Sequence, residues 1–299
     1  AQGPNPYSNK SNYGNVYDTN IYQTDGVPDD YGKGTRLSNL RANFDDGVTV
    51  EFWLKTGSVD VSSLTTKQVI FDMWNNEVPA PTNNSYGRLT VYLNNSATPP
   101  LSYTIESGST KLVDQTIGSA SVAGVYTGLT KETFADWKHY ALTFYNTGSN
   151  FIAKLHVDGA LHNIKTHAST AFSELNPKKM MGRLGALLAS PSGSAASAGA
   201  GKLSGSVDEF RFWKAARNSK QIGDNWNQDV GGGANSDISN AALGIYYKFN
   251  EGITTVAATD SIVLDYSGRL SNGVWTGYST TNSRNTGSAI LSASAAIKE

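Results

Sequence analysis

Residues 202–226 read KLSGSVDEFRFWKAARNSKQIGDNW. Through Trp213 the side chains follow the two-residue period of a strand with one face turned to a core. Then the pattern changes. Asn218 stands three residues before Gln221, the arrangement of a capping box. Ile222 and Trp226 follow at i and i+4, on one face of a helix. The stretch therefore predicts a strand and then one short helix that clips an edge of the sheets.

Working outward, strands recur. Val48–Lys55 alternates Val48, Val50, Phe52 and Leu54 against Thr49, Glu51, Trp53 and Lys55. Gln68–Trp74, Arg88–Leu93, Lys138–Tyr145, Ile152–Val157 and Leu243–Phe249 read the same way. Asp158-Gly159 sits between Val157 and Ala160 as a two-residue hairpin turn, where both residues tolerate the positive φ of type I′. Strands at this density with turn-rich connections predict an all-β fold: a two-sheet antiparallel β-sandwich of jelly-roll type with one short helix. Ser190–Gly205 is low in complexity and reads as a mobile surface loop, and Gly231–Asn235 is a second break. Residues 1–24 read as a polar arm or the end of a preceding segment, 25–277 as the domain, and 278–299 as a polar linker. The chain begins at Ala1, which fits a processed product or a piece of a longer polypeptide.

Composition narrows the function. Of 299 residues, 16% are charged and the formal net charge is −1. Globular chains average about a quarter charged. Such a balance gives no electrostatic drive toward nucleic acid or an anionic bilayer. No apolar run approaches the ~20 residues of a spanning helix, and the opening residues carry no signal-peptide pattern. Cysteine is absent, which excludes disulfides, thiolate zinc sites and a Cys nucleophile. The many Gly, Ser, Thr, Asn and Tyr suit short strands joined by turns.

The run Leu203–Ile222 also resembles the signature strand and helix of the laminin-G-like, concanavalin A-like jelly-roll family, with Asp208, Glu209, Phe210, Arg211 and Trp213 at the matching positions. Phe52-Trp53-Leu54, Trp137-Lys138-His139-Tyr140 and Leu155–Gly159 match further family strands in order, and Gly244–Gly252 and Leu264–Gly277 resemble strands seen beside such domains. The resemblance spans residues 25–277. Within the family, the late strands and the Gly-Ser-Ala loop are similar to those of large structural proteins of tailed phages. It implies the sandwich fold, and it implies one Ca²⁺ at a sandwich edge, held by hard oxygen ligands. Asp25-Gly26-Val27-Pro28-Asp29-Asp30 resembles the family's acidic turn, so Asp25, Asp30 and Asp208 are the candidate calcium ligands. Aspartate as a simple turn former is the other reading.

Catalysis finds no support. Retaining glycosidases of this fold carry Glu-x-Asp-x-x-Glu on one strand, and no such run occurs. Asp208 and Glu209 are adjacent, so regular alternation predicts opposite faces, with Glu209 paired to Arg211. There is no Gly-x-Ser-x-Gly elbow and no His-Glu-x-x-His among the four histidines. Gly199–Ser204 resembles a phosphate loop but has Leu203 where Ser or Thr must hold Mg²⁺. Glycan recognition needs an exposed aromatic face flanked by amides or carboxylates. Trp74 with Asn75 and Asn76, and Tyr86 with Asn83 and Asn84, have that composition, as does Tyr92 with Asn94 and Asn95. Trp53, Trp137, Trp213 and Tyr140 are expected in the core. The sequence therefore predicts a non-catalytic adhesion module, extracellular or on a virion surface. Its partner is either cell-surface glycan or neighbouring virion or surface proteins in a purely structural role.

Overall fold

A computed structural model describes residues 39–56, 67–75, 77, 84–94, 96–120, 126–175, 180–188, 200–230, 242–251, 256, 260–268 and 271–275. The strands are β1 (Val48–Thr56), β2 (Gln68–Trp74), β3 (Gly87–Leu93), β4 (Leu101–Ser107), β5 (Thr110–Thr116), β6 (Lys138–Thr147), β7 (Asn150–Val157), β8 (Ala160–His167), β9 (Met181–Leu184), β10 (Gly205–Trp213), β11 (Leu243–Tyr247), β12 (Ile262–Val263) and β13 (Gly273–Val274). Helix α1 spans Ser219–Asn225. One sheet runs β11-β10-β1-β6-β7-β8, the other β5-β4-β3-β2-β9, and β12 pairs with β13 in a small ribbon. Every ladder is antiparallel. None of the described helices is long and apolar enough to cross a membrane.

The core lies between the sheets. Val48, Val50, Phe52 and Leu54 of β1 meet Tyr140, Leu142 and Phe144 of β6 and Phe210 and Phe212 of β10. The second sheet contributes Met73, Leu89, Val91, Tyr103 and Ile105. Phe71 against Phe210 (ring centroids 5.0 Å apart) and Tyr103 against Phe144 (5.1 Å) join the two layers. Each such side chain contributes roughly 1.5–3 kcal/mol by leaving water. At one side Lys165 Nζ donates to the Thr116 carbonyl at 3.1 Å and ties the edge strands β8 and β5 together.

Three features depart from the alternation. The second face of β1 is buried too: Thr49, Glu51 and Trp53 all lie under the chain that follows β10. β10 carries a bulge. Glu51 opposes Arg211 while Trp53 opposes Asp208, which leaves Glu209 as the extra residue, at φ +49°. The Asp208 side chain accepts the Glu209 N–H at 3.0 Å, the local bond that lets a non-glycine residue take this conformation. The expectation that Asp208 and Glu209 face opposite ways is thereby corrected: Asp208 shares the outer face with Trp53, and Glu209 bonds Arg211 on that same face. Last, β11 ends at Tyr247, because Phe249 turns to φ +54°.

Locally encoded elements fall where the sequence put them. Asp158 and Gly159 both have positive φ in the β7–β8 turn. Asn218 accepts from the Gln221 N–H while the Gln221 side chain accepts from the Asn218 N–H, a complete capping box. The arm, most of the low-complexity loop, the Gly231–Asn235 break and the outgoing linker lie outside the described residues.

Candidate functional site

On the five-stranded sheet, Asp72 and Trp74 share the outer face of β2. The register then aligns Trp74 with Arg88 of β3, Arg88 with Glu106 of β4, and Glu106 with Lys111 of β5. One row across four strands thus holds an aromatic ring, a guanidinium, a carboxylate and an ammonium. Arg88 is 1% exposed and grips Asp72 with two bonds, Nε to Oδ1 at 2.9 Å and Nη2 to Oδ2 at 2.6 Å. Thr90 and the Leu188 N–H also donate to Asp72. Burial works against the Arg88 charge, but Asp72 and Tyr86 outweigh it, so the group stays firmly cationic. Breaking such a pair strands an uncompensated charge. The pair therefore fixes the middle of the row, and Trp74 and Lys111 stand at its ends.

Trp74 is half-buried, and its indole N–H donates to the Glu77 carbonyl at 3.0 Å, which holds the ring in one orientation. Asn75 and Tyr86, expected as exposed contacts, are buried instead. Asn75 staples the loop: Nδ2 donates to the Ser85 carbonyl at 2.6 Å, and Oδ1 accepts from Gly87 N–H at 3.0 Å and Glu77 N–H at 3.3 Å. Tyr86 is 1% exposed, and burial pushes its phenol up to about 12. Its hydroxyl lies close enough to Arg88 and Glu106 for each to act on its ionisation. Burial also raises Glu106, against the pull of Tyr86, Arg88 and Lys111. Tyr92 is likewise buried, with its hydroxyl on Asp114. Asn76 lies outside the described residues. Asp72, Arg88 and Glu106 were not singled out by sequence, although a charge inside the apolar runs QVIFDMW and GRLTVYL was the available signal.

Asp208 sits on the outer face of the other sheet, away from Trp74. It is 3% exposed, and burial, then the neighbouring Glu209 charge, push its carboxyl up to about 7. Its Oδ2 accepts no hydrogen bond among the described residues. Glu209 accepts from Arg211 Nη2 at 2.9 Å and from the Tyr246 hydroxyl, the pairing with Arg211 that spacing suggested. Asp25 and Asp30 lie outside the described residues, and among those described no cluster of three or more His, Asp or Glu could hold a metal. Asp208 alone does not make a calcium site, though its Oδ2 is an oxygen of the right kind. Of the expected core rings, Trp53, Trp213 and Tyr140 are buried, and Trp137 is half-buried.

The family model Laminin_G_3, of the concanavalin A-like lectin/glucanases superfamily, matches residues 29–223. The chain belongs to that family. Among solved structures, a Bacteroides ovatus protein provisionally named as carbohydrate binding is 15% identical, with a TM-score of 0.43, over 78% of this chain and 54% of its own. This chain thus spans about half of that protein's length. The CBM40 domain of the Ruminococcus gnavus IT-sialidase, solved with α2,3-sialyllactose, is 16% identical over 62% of this chain and 84% of its own, TM-score 0.35. The enzymatically active domain of tailspike protein 2 of bacteriophage CBA120 is 10% identical over 74% of this chain and 30% of its own, TM-score 0.41. No curated protein matches the chain.

Proposed function

We propose that the chain is a non-catalytic carbohydrate-binding module of a surface or virion protein, and that it engages glycan at the Trp74 end of the five-stranded sheet. The observation that carries this reading is the fixed, half-buried Trp74 indole closing the row Trp74–Arg88–Glu106–Lys111. A rigid ring loses little entropy when a sugar stacks on it. Of the polar side chains in the row, Arg88 and Glu106 are buried and Lys111, at the far end, is exposed to meet hydroxyls. Asn75 and Tyr86 act as the frame that holds Trp74, with Asn76 beside it in sequence. The non-catalytic reading is supported by Glu209, which is bound to Arg211 and Tyr246, and by the burial of both adjacent acids. A glycan array tests it: the wild-type chain retains a set of glycans, and Trp74→Ala, with unchanged melting temperature, loses them about tenfold or more. Equal retention by both chains sinks the Trp74 site.

Calcium belongs to the proposal through Asp208, whose Oδ2 would join Asp25 and Asp30 on one ion. Such an ion would tie the acidic turn to β10. A second reading, a structural packing module with no glycan ligand, is favoured by one feature. Ile262 and Val274 oppose each other on the β12–β13 ribbon and are both exposed, with Leu264 beside them.

A further inference from the structure

The outer face of the six-stranded sheet carries an ionic layer roofed by α1. Glu51 of β1 lies between Arg217 (Nη1–Oε1, 2.5 Å) and Arg211 (3.6 Å). Glu209, of β10, binds Arg211 from the other side. The roof is held from beneath: Arg211 donates to the carbonyls of Asn225 (3.2 Å) and Gln228 (2.7 Å), and Arg217 to that of Gln221 (2.8 Å). The Trp226 indole closes the layer, stacked on Trp53 with centroids 5.5 Å apart. Its neighbour in the β7–β8 turn is Gly159, where a Cβ would come within 2.4 Å of the indole.

Two histidines are sealed under this roof. His156 of β7 is fully buried and shares a 3.0 Å hydrogen bond between Nε2 and the hydroxyl of Ser219, the first residue of α1. His139 of β6 is buried beside Trp53 and Trp226, with Nε2 3.8 Å from Glu51. Its ring nitrogens complete no hydrogen bond among the described residues. The charges around them already balance, since the carboxylates of Glu51 and Glu209 meet the guanidiniums of Arg211 and Arg217. Lys154, on the same strand as His156, opposes a further positive charge. Asp158, which favours a charge on His139, is paired with Lys138. On α1 itself Lys220 and Asp224 pair with each other at the surface. Asp208 lies on the same face as Trp53, and Tyr246 of β11 donates to Glu209.

We propose that α1 and Trp226 form an acid-released latch over this face, with His156 and His139 as the groups that sense the proton. A proton on His156 adds a cation that Lys154 and Arg217 oppose, and a proton on His139 meets Glu51 Oε2 3.8 Å away, a pull that burial and Arg211 outweigh. On His156 it leaves Nε2 only the donor role toward Ser219. Burial, helped by Lys154, His139 and Arg217 and opposed by Glu51, already lowers His156 to about 4. Burial, helped by Arg211, lowers His139 against the pull of Glu51 and Asp158. The sign follows. With the roof open each ring returns toward its ordinary pKa of about 6.5. The open state therefore binds more protons between about pH 6.5 and 4, and acidification through that window favours opening. Glu51, held down to about 2 although burial opposes its charge, stays ionised and does not share the response.

Peptide-resolved hydrogen exchange on the full chain tests this, comparing residues 214–230 with the core strands 138–157 at about pH 7 and about pH 4.5, after correction for intrinsic rates. Each unit of lowered pKa weakens the closed state tenfold below it. The expected result is a loss of protection of about tenfold or more in 214–230, with 138–157 unchanged, and a smaller loss in His139→Gln/His156→Gln. Loss of protection in both regions together overturns the latch, as does a wild-type profile in the double variant. Should the variant fail to fold, the wild-type comparison decides alone.

Discussion

Glu51 concentrates the electrostatics of one whole sheet face. It is 0% exposed, yet it is held ionised because His139, Arg217 and Arg211 together overcome the cost of burial. Glu51→Gln keeps the volume and removes the charge, leaving two buried guanidiniums without their shared partner. The expected loss is about 3–5 kcal/mol, the range for breaking one side of a buried pair, read from the urea midpoint. Gly159 is the second sensitive position. At φ +79° and under the Trp226 ring, it has no room for a side chain. Gly159→Ala is expected to cost about 1–3 kcal/mol through backbone strain and the displaced indole. A Trp226 emission shifted to the red, with no change in the core's circular dichroism, would show the indole moving alone.

At the scale of elements, α1 is short and depends on its cap and on what lies beneath it. Asn218→Ala removes one half of the capping box and is expected to cost about 0.5–2 kcal/mol, with faster exchange confined to 214–230. An unaltered exchange pattern would show that Arg211, Arg217 and Ile222 hold the helix without its cap. This element was legible in the sequence because a capping box is written in four consecutive residues. The Asp158-Gly159 hairpin was legible for the same reason. The β10 bulge was not: regular alternation placed Asp208 and Glu209 on opposite faces, and only the pairing with β1 shows the extra residue. β5 went unread because an edge strand with Lys111, Asp114 and Gln115 outside carries no apolar period. The cover over Thr49 and Glu51 of β1 was not legible, because the chain that supplies it arrives more than 160 residues later.

For the whole molecule, the alternating apolar strands were enough to announce two packed layers, and the structure and the family match agree on that architecture. The candidate glycan site was legible in part. Trp74 stood out by composition, whereas the row joining it to Arg88, Glu106 and Lys111 depends on strand order and register, which no local pattern encodes. Asn75 and Tyr86 looked like contacts because amides beside rings suit sugars. Their hydrogen bonds and burial make them supports instead. If calcium joins the acidic turn to Asp208, adding a chelator lowers the melting temperature by several degrees, as loss of a ligand specific to the folded state must. Asp208→Asn would then abolish that response. An unchanged melting temperature removes the ion from the account.

The most direct measurement is titration calorimetry of the wild-type chain and Trp74→Ala against the glycan best retained on the array. Saturable binding by the wild type, weakened about tenfold or more in the variant at equal thermal stability, is the predicted result. Equal affinities for the two chains, or no heat of binding to any retained glycan, would contradict it.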